Sequence, residues 1–312
     1  MKEIRTAVVG VGHLGRHHAR IHAALPGVRL VSVVDVDRAR AEAIGAEYGA
    51  RPETDWRRVL GEVDAVSLAA PTVFHAEIGC AFLRAGVDLL VEKPIAATTA
   101  QAQELIGAAR EGGRVLQVGH TERYNPGVEA LLRSVSDPRF MEVHRLGVFS
   151  PRSIDIDVVL DLMIHDIDLI LCLTRALPER IDAVGVSALT ERVDIANARL
   201  LFPGGAVANV TASRISSQKV RKLRVFERRA YHSLDFTEQQ VERYALVEAG
   251  DGRRIERGNL AVESGEPLRR EIESFIECVR ERKTPVVTGE DGLRALDVAV
   301  RIAAAAADGA GR

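Results

Sequence analysis

The chain has 312 residues, 46% of them hydrophobic and 28% charged, with a formal net charge of −2. That is the make-up of a globular protein with one large or two moderate domains; it offers no electrostatic case for nucleic acid, and no run approaches the roughly 18 apolar residues of a membrane helix. Cys80, Cys172 and Cys278 show no metal or redox spacing and read as buried thiols, and Met1-Lys2-Glu3 leads straight into a strand without a signal peptide, so a reducing, cytoplasmic setting is expected.

The stretch from Ile4 to Asp35 organises the first half. A β-branched strand leads into Gly10-Val-Gly12-His13-Leu14-Gly15, then a helical run to Leu25, a Pro26-Gly27 break and a second apolar strand ending in Asp35. Gly10 permits the tight turn, Gly12 lets backbone approach a pyrophosphate, and Gly15 lets the helix lie close on the strand. The helix start, with His13 and Leu14, offers N–H groups and partial positive charge to the phosphates. Asp35 stands about 20 residues past the turn, the offset of an acid that bonds a ribose 2′-hydroxyl. NAD is therefore expected over NADP, with Arg38 and Arg40 close enough in sequence to soften the preference. An ordinary glycine turn would leave Asp35 unexplained.

Residues 37–48 follow as a helix closed by Gly49, and Trp56–Leu60 as a turn or two of helix. Strands are expected at 64–70, 87–91 and 114–118, with helices at 73–85 and from the Thr98 cap to about Arg110. Strands alternating with helices of this length imply a parallel sheet with helices on both faces, a doubly wound Rossmann domain. Ligands on such sheets sit beyond the carboxyl ends of the strands. Pro71, Thr72, Lys93 and His120 all follow strand ends and belong to that edge. His13, His17, His18 and His22 lack a third ligand at matching spacing, so no metal site is expected.

From about residue 121 the pattern changes. Helices are expected at 125–134 and 157–173, with a strand at 140–149 between them. Strands then follow at 181–189, 193–202, 206–213, 222–228, 230–236 and 240–247, and helices at 267–283 and 290–307. This is an α/β domain with a large, mostly antiparallel open sheet, giving domains at 1–120 and 121–312, the last helix a candidate to return to the first domain.

The strongest chemical signal is the 157–173 helix, apolar on nearly every side yet carrying Asp161, His165 and Asp168 at i, i+4 and i+7. Burying ionisable groups costs several kcal/mol unless they are paired or line a polar cleft. A structural Asp–His pair is one account of them. A general base with its orienting carboxylate is the other, and three aligned groups in a chain with a dinucleotide site favour it. Lys93, held by Pro94 at the cofactor edge, is the second candidate. Oxidising an alcohol needs a base for the hydroxyl proton and a positive group for the developing alkoxide.

The glycine fingerprint, Asp35, Pro71-Thr72 with His75, Glu92-Lys93-Pro94, Asp161…His165 and Gly289-Glu-Asp-Gly292 together resemble the glucose–fructose oxidoreductase, inositol dehydrogenase and rhizopine-catabolism family, Gfo/Idh/MocA, over essentially the whole chain. The resemblance implies Lys93, Asp161 and His165 as the catalytic set. It places His75 and Glu92 with the cofactor and makes a cis Lys93–Pro94 bond an expectation. It also implies homodimers or homotetramers built on the open sheet. Gly119-His120-Thr-Glu-Arg123-Tyr124-Asn125-Pro, the 161–168 run and Ala212-Ser-Arg214-Ile-Ser-Ser217 are most similar to its nucleotide-sugar branch. That implies His120, Arg123, Tyr124, Asn125, Asp168 and Arg214 around the substrate, and oxidation of UDP-N-acetylglucosamine at its 3-hydroxyl, a step toward the diamino sugars of lipid A. The corresponding uronate, inositol or a free sugar stay open as substrates. Arg123, Arg152, Arg214, Lys219, Arg221 and Lys222 could supply cations for a diphosphate. A non-catalytic dinucleotide-binding regulator is the competing class; a buried base is something a sensor does not need.

Overall fold

Ile4–Val9 forms β1, with five of its six residues buried, as a β-branched strand at the centre of a doubly covered sheet must be. The computed structural model describes residues 3–149, 156–250 and 252–309. After β1 come α1 (Gly15–Ala24), β2 (Val28–Val34), α2 (Arg38–Tyr48), β3 (Arg51–Glu53), β4 (Ala65–Leu68), α3 (His75–Arg84), β5 (Asp88–Glu92), α4 (Thr99–Gly112) and β6 (Leu116–Gly119). Asp37 and Thr98 cap α2 and α4 by accepting from the amides of Arg40 and Gln101, and left-handed Gly49 and Gly113 end those helices. The six strands are parallel, in the order β3-β2-β1-β4-β5-β6. The order reverses between β1 and β4, so the ligand crevice of a Rossmann sheet opens beyond their carboxyl ends.

The second sheet is built from β7 (Phe140–Leu146), β8 (Arg180–Val186), β9 (Ile195–Leu201), β10 (Val207–Ser213), β11 (Val220–Phe226), β12 (Ala230–Asp235), β13 (Gln240–Ala249) and β14 (Gly252–Asn259). Its order is β14-β13-β12-β11-β7-β10-β9-β8, antiparallel throughout except for the β7–β10 pair. Before β7 lies α5 (Pro126–Ser134), and between β7 and β8 lies α6 (Ile164–Thr174). The inward residues of the strands pack with these helices in one core that includes Leu131, Met141, Met163, Ile167 and Ala198. The other face carries exposed Asn197, Arg199, Lys222 and Arg224. It also carries a ladder of half-buried rings, Phe140–Phe226–Tyr231–Tyr244, with centroids 5.6, 4.7 and 5.7 Å apart.

The chain divides into two compact units. One holds Met1–Thr121 with Glu266–Leu293, so α7 (Pro267–Glu281) belongs to it; the other holds Glu122–Gly265 with Arg294 onward, including most of α8 (Gly289–Gly309). Among the described residues no helix is long and apolar enough to cross a membrane.

Three local features differ from the sequence expectation. β3 and β14 add edge strands where none was expected. Every residue of β14 is exposed, so no apolar alternation marks it; its Arg and Glu side chains are those of a protected sheet edge. The strand expected to run to 189 ends at Val186. The buried Asp194 carboxylate accepts from the amides of Ala188, Leu189 and Thr190 at 2.9, 2.7 and 2.9 Å, which takes them out of the ladder. Finally, α6 is preceded by a π-helical turn, Val159–Met163, closed by the Ile164 amide donating to the Val159 carbonyl.

Candidate active site

In the glycine turn after β1 the steric requirements fall on Gly10 and Gly15. Gly10 has φ +85°, and a Cβ there would lie 2.6 Å from the Ala70 nitrogen, in the turn that follows β4. A Cβ on Gly15 would sit 1.7 Å from the Gly10 carbonyl oxygen, so only glycine lets α1 begin this close to the strand. At Gly12 a Cβ would meet nothing within 4 Å. This bare backbone beside the start of α1, with exposed His13 and Leu14, leaves the open approach that a pyrophosphate would need.

Asp35 directly follows β2 and is buried. Its carboxylate accepts from the amides of Val11 and Asp37, both at 3.0 Å, and from Arg40 Nη1 at 3.1 and 3.2 Å. Arg40 also pairs with Asp37 at 3.2 Å. A cleft of roughly 710 Å³ opens along this edge, lined by Gly10, Gly12, Asp35, Arg40 and Pro71, and by Val36, Trp56, Arg57 and Phe74, which the sequence did not single out. The Arg57 guanidinium lies 4.3 Å over the Trp56 ring. Trp56 is the chain's single tryptophan and follows the cap Asp55, the one signal that could have marked it. The shape and donors suit an adenosine-bearing dinucleotide. Exposed Pro71 and half-buried Thr72 stand at the mouth of α3.

At the end of β5 the Lys93–Pro94 peptide is cis. His75, the first residue of α3, is buried with Nδ1 3.0 Å from the Pro94 carbonyl and Nε2 2.8 Å from the Ala70 carbonyl. Burial lowers its basicity, and the two carbonyls act the other way. His75 therefore ties the turn after β4 to the peptide after Lys93. Glu92 is buried: it accepts from its neighbour's amide, Lys93 N, at 3.2 Å and meets His18 Nε2 at 3.0 Å. Lys93 itself is half-buried. His120, after β6, is buried.

In the other unit, Asp157 starts the helical segment by accepting from the Val159 amide at 2.8 Å. The π-turn holds Asp161, and His165 follows it at the start of α6. π-turns of this kind are frequent at functional sites. Asp161 and His165 are half-buried while Asp168 is buried. Asp168 pairs with Arg123 at 3.1 Å, so these two expected substrate residues meet each other. Asn125 accepts from the Gly127 amide at 3.0 Å to cap α5 and donates to the Phe236 carbonyl at 3.1 Å. Tyr124 beside it is buried. Arg214 donates to the Val193 carbonyl at 3.1 Å and to the Ile156 carbonyl, and lies 3.6 Å from Asp194. Arg152 lies outside the described residues. Among the described residues no three His, Cys, Asp or Glu side chains gather as metal ligands; His18 and His22 instead meet Glu92 and Ser67.

Residues 4–120 match the model of an oxidoreductase family with an NAD-binding Rossmann fold, and residues 144–230 match the Gfo/Idh/MocA C-terminal domain. The chain is 39% identical over 307 residues to the UDP-N-acetylglucosamine 3-dehydrogenase of Acidithiobacillus ferrooxidans, covering 97% of both chains. A solved structure of that protein superposes with a TM-score of 0.92, covering 99% of both chains at 37% identity. The inositol 2-dehydrogenase of Rhizobium meliloti is 28% identical over 96% of each chain. Levoglucosan dehydrogenase in complex with NADH has the same fold, with a TM-score of 0.89 at 18% identity. Glycine turn, acid, cis-proline peptide and the Asp161–His165 segment thus stand in a chain that belongs to the Gfo/Idh/MocA family of NAD-binding oxidoreductases.

Proposed function

We propose that this protein oxidises the 3-hydroxyl of UDP-N-acetylglucosamine to the ketone, with NAD as oxidant. The observation that carries the substrate is the 39% identity, over nearly the full length of both chains, to a protein named for that reaction, against 28% to an inositol dehydrogenase. The chemistry rests on Lys93, Asp161 and His165. Bound NAD supplies the hydride acceptor. His165 takes the hydroxyl proton, and Asp161, four residues earlier, orients the imidazole. Lys93 donates to the reacting oxygen and stabilises its developing negative charge. Substrate contacts are assigned to the second unit. Arg123, Arg214 and Lys222 already meet Asp168, Asp194 and Asp235, which makes Lys219 and Arg221 the better partners for the diphosphate. The ring ladder on the open sheet face, rimmed by charges, is proposed as the surface on which copies of the chain assemble.

The substrate test is direct. Purified protein, NAD and UDP-N-acetylglucosamine should give reduced cofactor and a keto sugar that an aminotransferase converts to the 3-amino product. Product from myo-inositol or free glucose, with none from UDP-N-acetylglucosamine or its uronate, would end the assignment and leave the family.

Cofactor choice gives a second expected result. Asp35 should accept from the ribose hydroxyls and repel a 2′-phosphate, while Arg40, spanning Asp35 and Asp37, offsets part of that repulsion. NAD should bind more tightly than NADP. Asp35→Ala removes the acid and releases Arg40, so the ratio of the two dissociation constants should narrow about tenfold or more, the worth of one hydrogen bond to a charged group. An unchanged ratio in the variant would show that another residue reads the ribose.

A further inference from the structure

The segment that leads into α6 is held by a network the mechanism above does not use. Asp194, between β8 and β9, is buried with both carboxylate oxygens engaged. Oδ2 accepts from the amides of Ala188, Leu189 and Thr190, and Oδ1 accepts from Thr190 Oγ1 at 2.8 Å. Arg214, directly after β10, is buried beside it. Its amide donates to the Asp194 carbonyl at 2.9 Å, and its Nε lies 3.6 Å from Asp194 Oδ1. Its Nη2 donates to the Val193 carbonyl at 3.1 Å and to the Ile156 carbonyl. The family resemblance implies a substrate contact for Arg214; the fold turns its guanidinium to backbone carbonyls and to Asp194.

We propose that Arg214, anchored by Asp194, is a positioning residue for Asp161 and His165: it fixes the backbone on which their first helical turn is built. The inference rests on the catalytic roles assigned to those two residues above.

A continuous run of hydrogen bonds carries the effect. Arg214 holds the Ile156 carbonyl, and the Val193 carbonyl that it also holds accepts from the Val158 amide at 3.2 Å. Residues 156 and 158 are thereby tied on either side of Asp157. Asp157 starts the helix, its carboxylate accepting from the Val159 amide at 2.8 Å and its carbonyl from the Asp161 amide at 3.0 Å. The Val159 carbonyl then accepts from the Ile164 amide, which closes the π-turn directly before His165. On the far side of His165, Arg145 grips Asp166 through two bonds, at 2.8 and 2.7 Å. The catalytic segment is thus pinned at both ends with the widened turn between them. Asp161 lies inside that turn and His165 beyond it. Release of the first pin lets Asp161 shift while Arg145 still holds the second, so the two catalytic groups lose register with each other.

The test uses three variants. Arg214→Gln removes the guanidinium, Asp194→Asn weakens its anchor, and Thr190→Val removes one neutral hydrogen bond to that anchor. In protein labelled with ring-¹³C histidine, the His165 resonance, assigned through His165→Ala, should move in all three, least in Thr190→Val. With substrate, Arg214→Gln and Asp194→Asn should each lose about 10–100-fold in kcat, the scale of a misplaced reacting group, with KM for NAD and for the sugar nucleotide unchanged. The double variant should lose no more than the worse single one, because both changes break the same chain of contacts. A raised KM for the sugar nucleotide in Arg214→Gln, with kcat unchanged, would make Arg214 a substrate contact and overturn the proposal. A His165 resonance unmoved in the folded variants overturns it as well. Should the two stronger variants fail to fold, Thr190→Val decides on the resonance alone. That readout needs no turnover, so a wrong substrate assignment is recognised separately, by inactivity of the wild type.

Discussion

Replacing His165 with alanine should lower turnover by about 10²–10⁴-fold, the usual worth of a general base, and leave NAD binding unchanged. The expectation follows from where the parts lie. The glycine turn, Asp35 and the cleft lined by Trp56 and Phe74 all belong to the first unit, whereas His165 stands at the start of α6 in the second. Removing the imidazole-bearing side chain takes away the proposed proton acceptor and changes no residue that lines the dinucleotide cleft. Asp161→Asn should cost less, because it disturbs orientation of the base and not its presence. Steady-state kinetics on the true substrate, paired with a fluorescence titration of NAD, separate the two effects. Near-normal turnover in His165→Ala would mean that another group takes the proton, with Lys93 the next to test.

The dinucleotide half was legible because its constraints are local. Gly10 needs its positive φ and Gly15 its close approach to the Gly10 carbonyl, both within one turn, and Asp35 directly follows the next strand, so spacing alone placed them. Strand and helix periods gave the alternation of the first sheet and the hairpins of the second. What escaped was whatever carries no apolar pattern of its own or depends on long-range pairing. β14 is a strand only because β13 offers it an edge, and its charged residues carry no pattern of their own. The parallel β7–β10 pair joins residues more than sixty positions apart. The π-turn cannot be read from a helical apolar pattern, since one widened turn leaves that pattern nearly intact. In the candidate site the same limit applied to charges. Asp168 and Arg123 each looked available in sequence, yet they meet each other.

The largest loss of stability is expected from Arg145→Leu. Arg145 is buried on β7 and makes two parallel bonds to Asp166, Nε to Oδ2 at 2.8 Å and Nη2 to Oδ1 at 2.7 Å. It adds a third from Nη1 to Glu122 at 2.9 Å and lies 5.0 Å over the Phe236 ring. Asp166 directly follows His165, so this pair ties the start of α6 to the sheet. Asp166 and Glu122 hold the guanidinium firmly charged against the cost of burial. Removing one partner of a buried pair leaves the other uncompensated, at about 3–5 kcal/mol, while replacing both by apolar groups of similar volume is often neutral. Arg145→Leu should therefore be much less stable than Arg145→Leu/Asp166→Leu. The pH dependence has a definite sign. Burial raises the Asp166 carboxyl in the folded state, and Arg145 pulls it back. Without Arg145 the folded value rises further above the unfolded one. The folded variant then binds the extra proton, and its stability falls as pH rises through the window between the two values. The penalty should be full above the folded value and shrink on acidification toward the unfolded value. Urea unfolding followed by far-ultraviolet circular dichroism is the suitable measurement, because the single tryptophan, Trp56, lies in the first unit and would not report on the second. A penalty that grows on acidification, or a double variant no more stable than the single one, would show that the pair's charges are not what holds α6 in place.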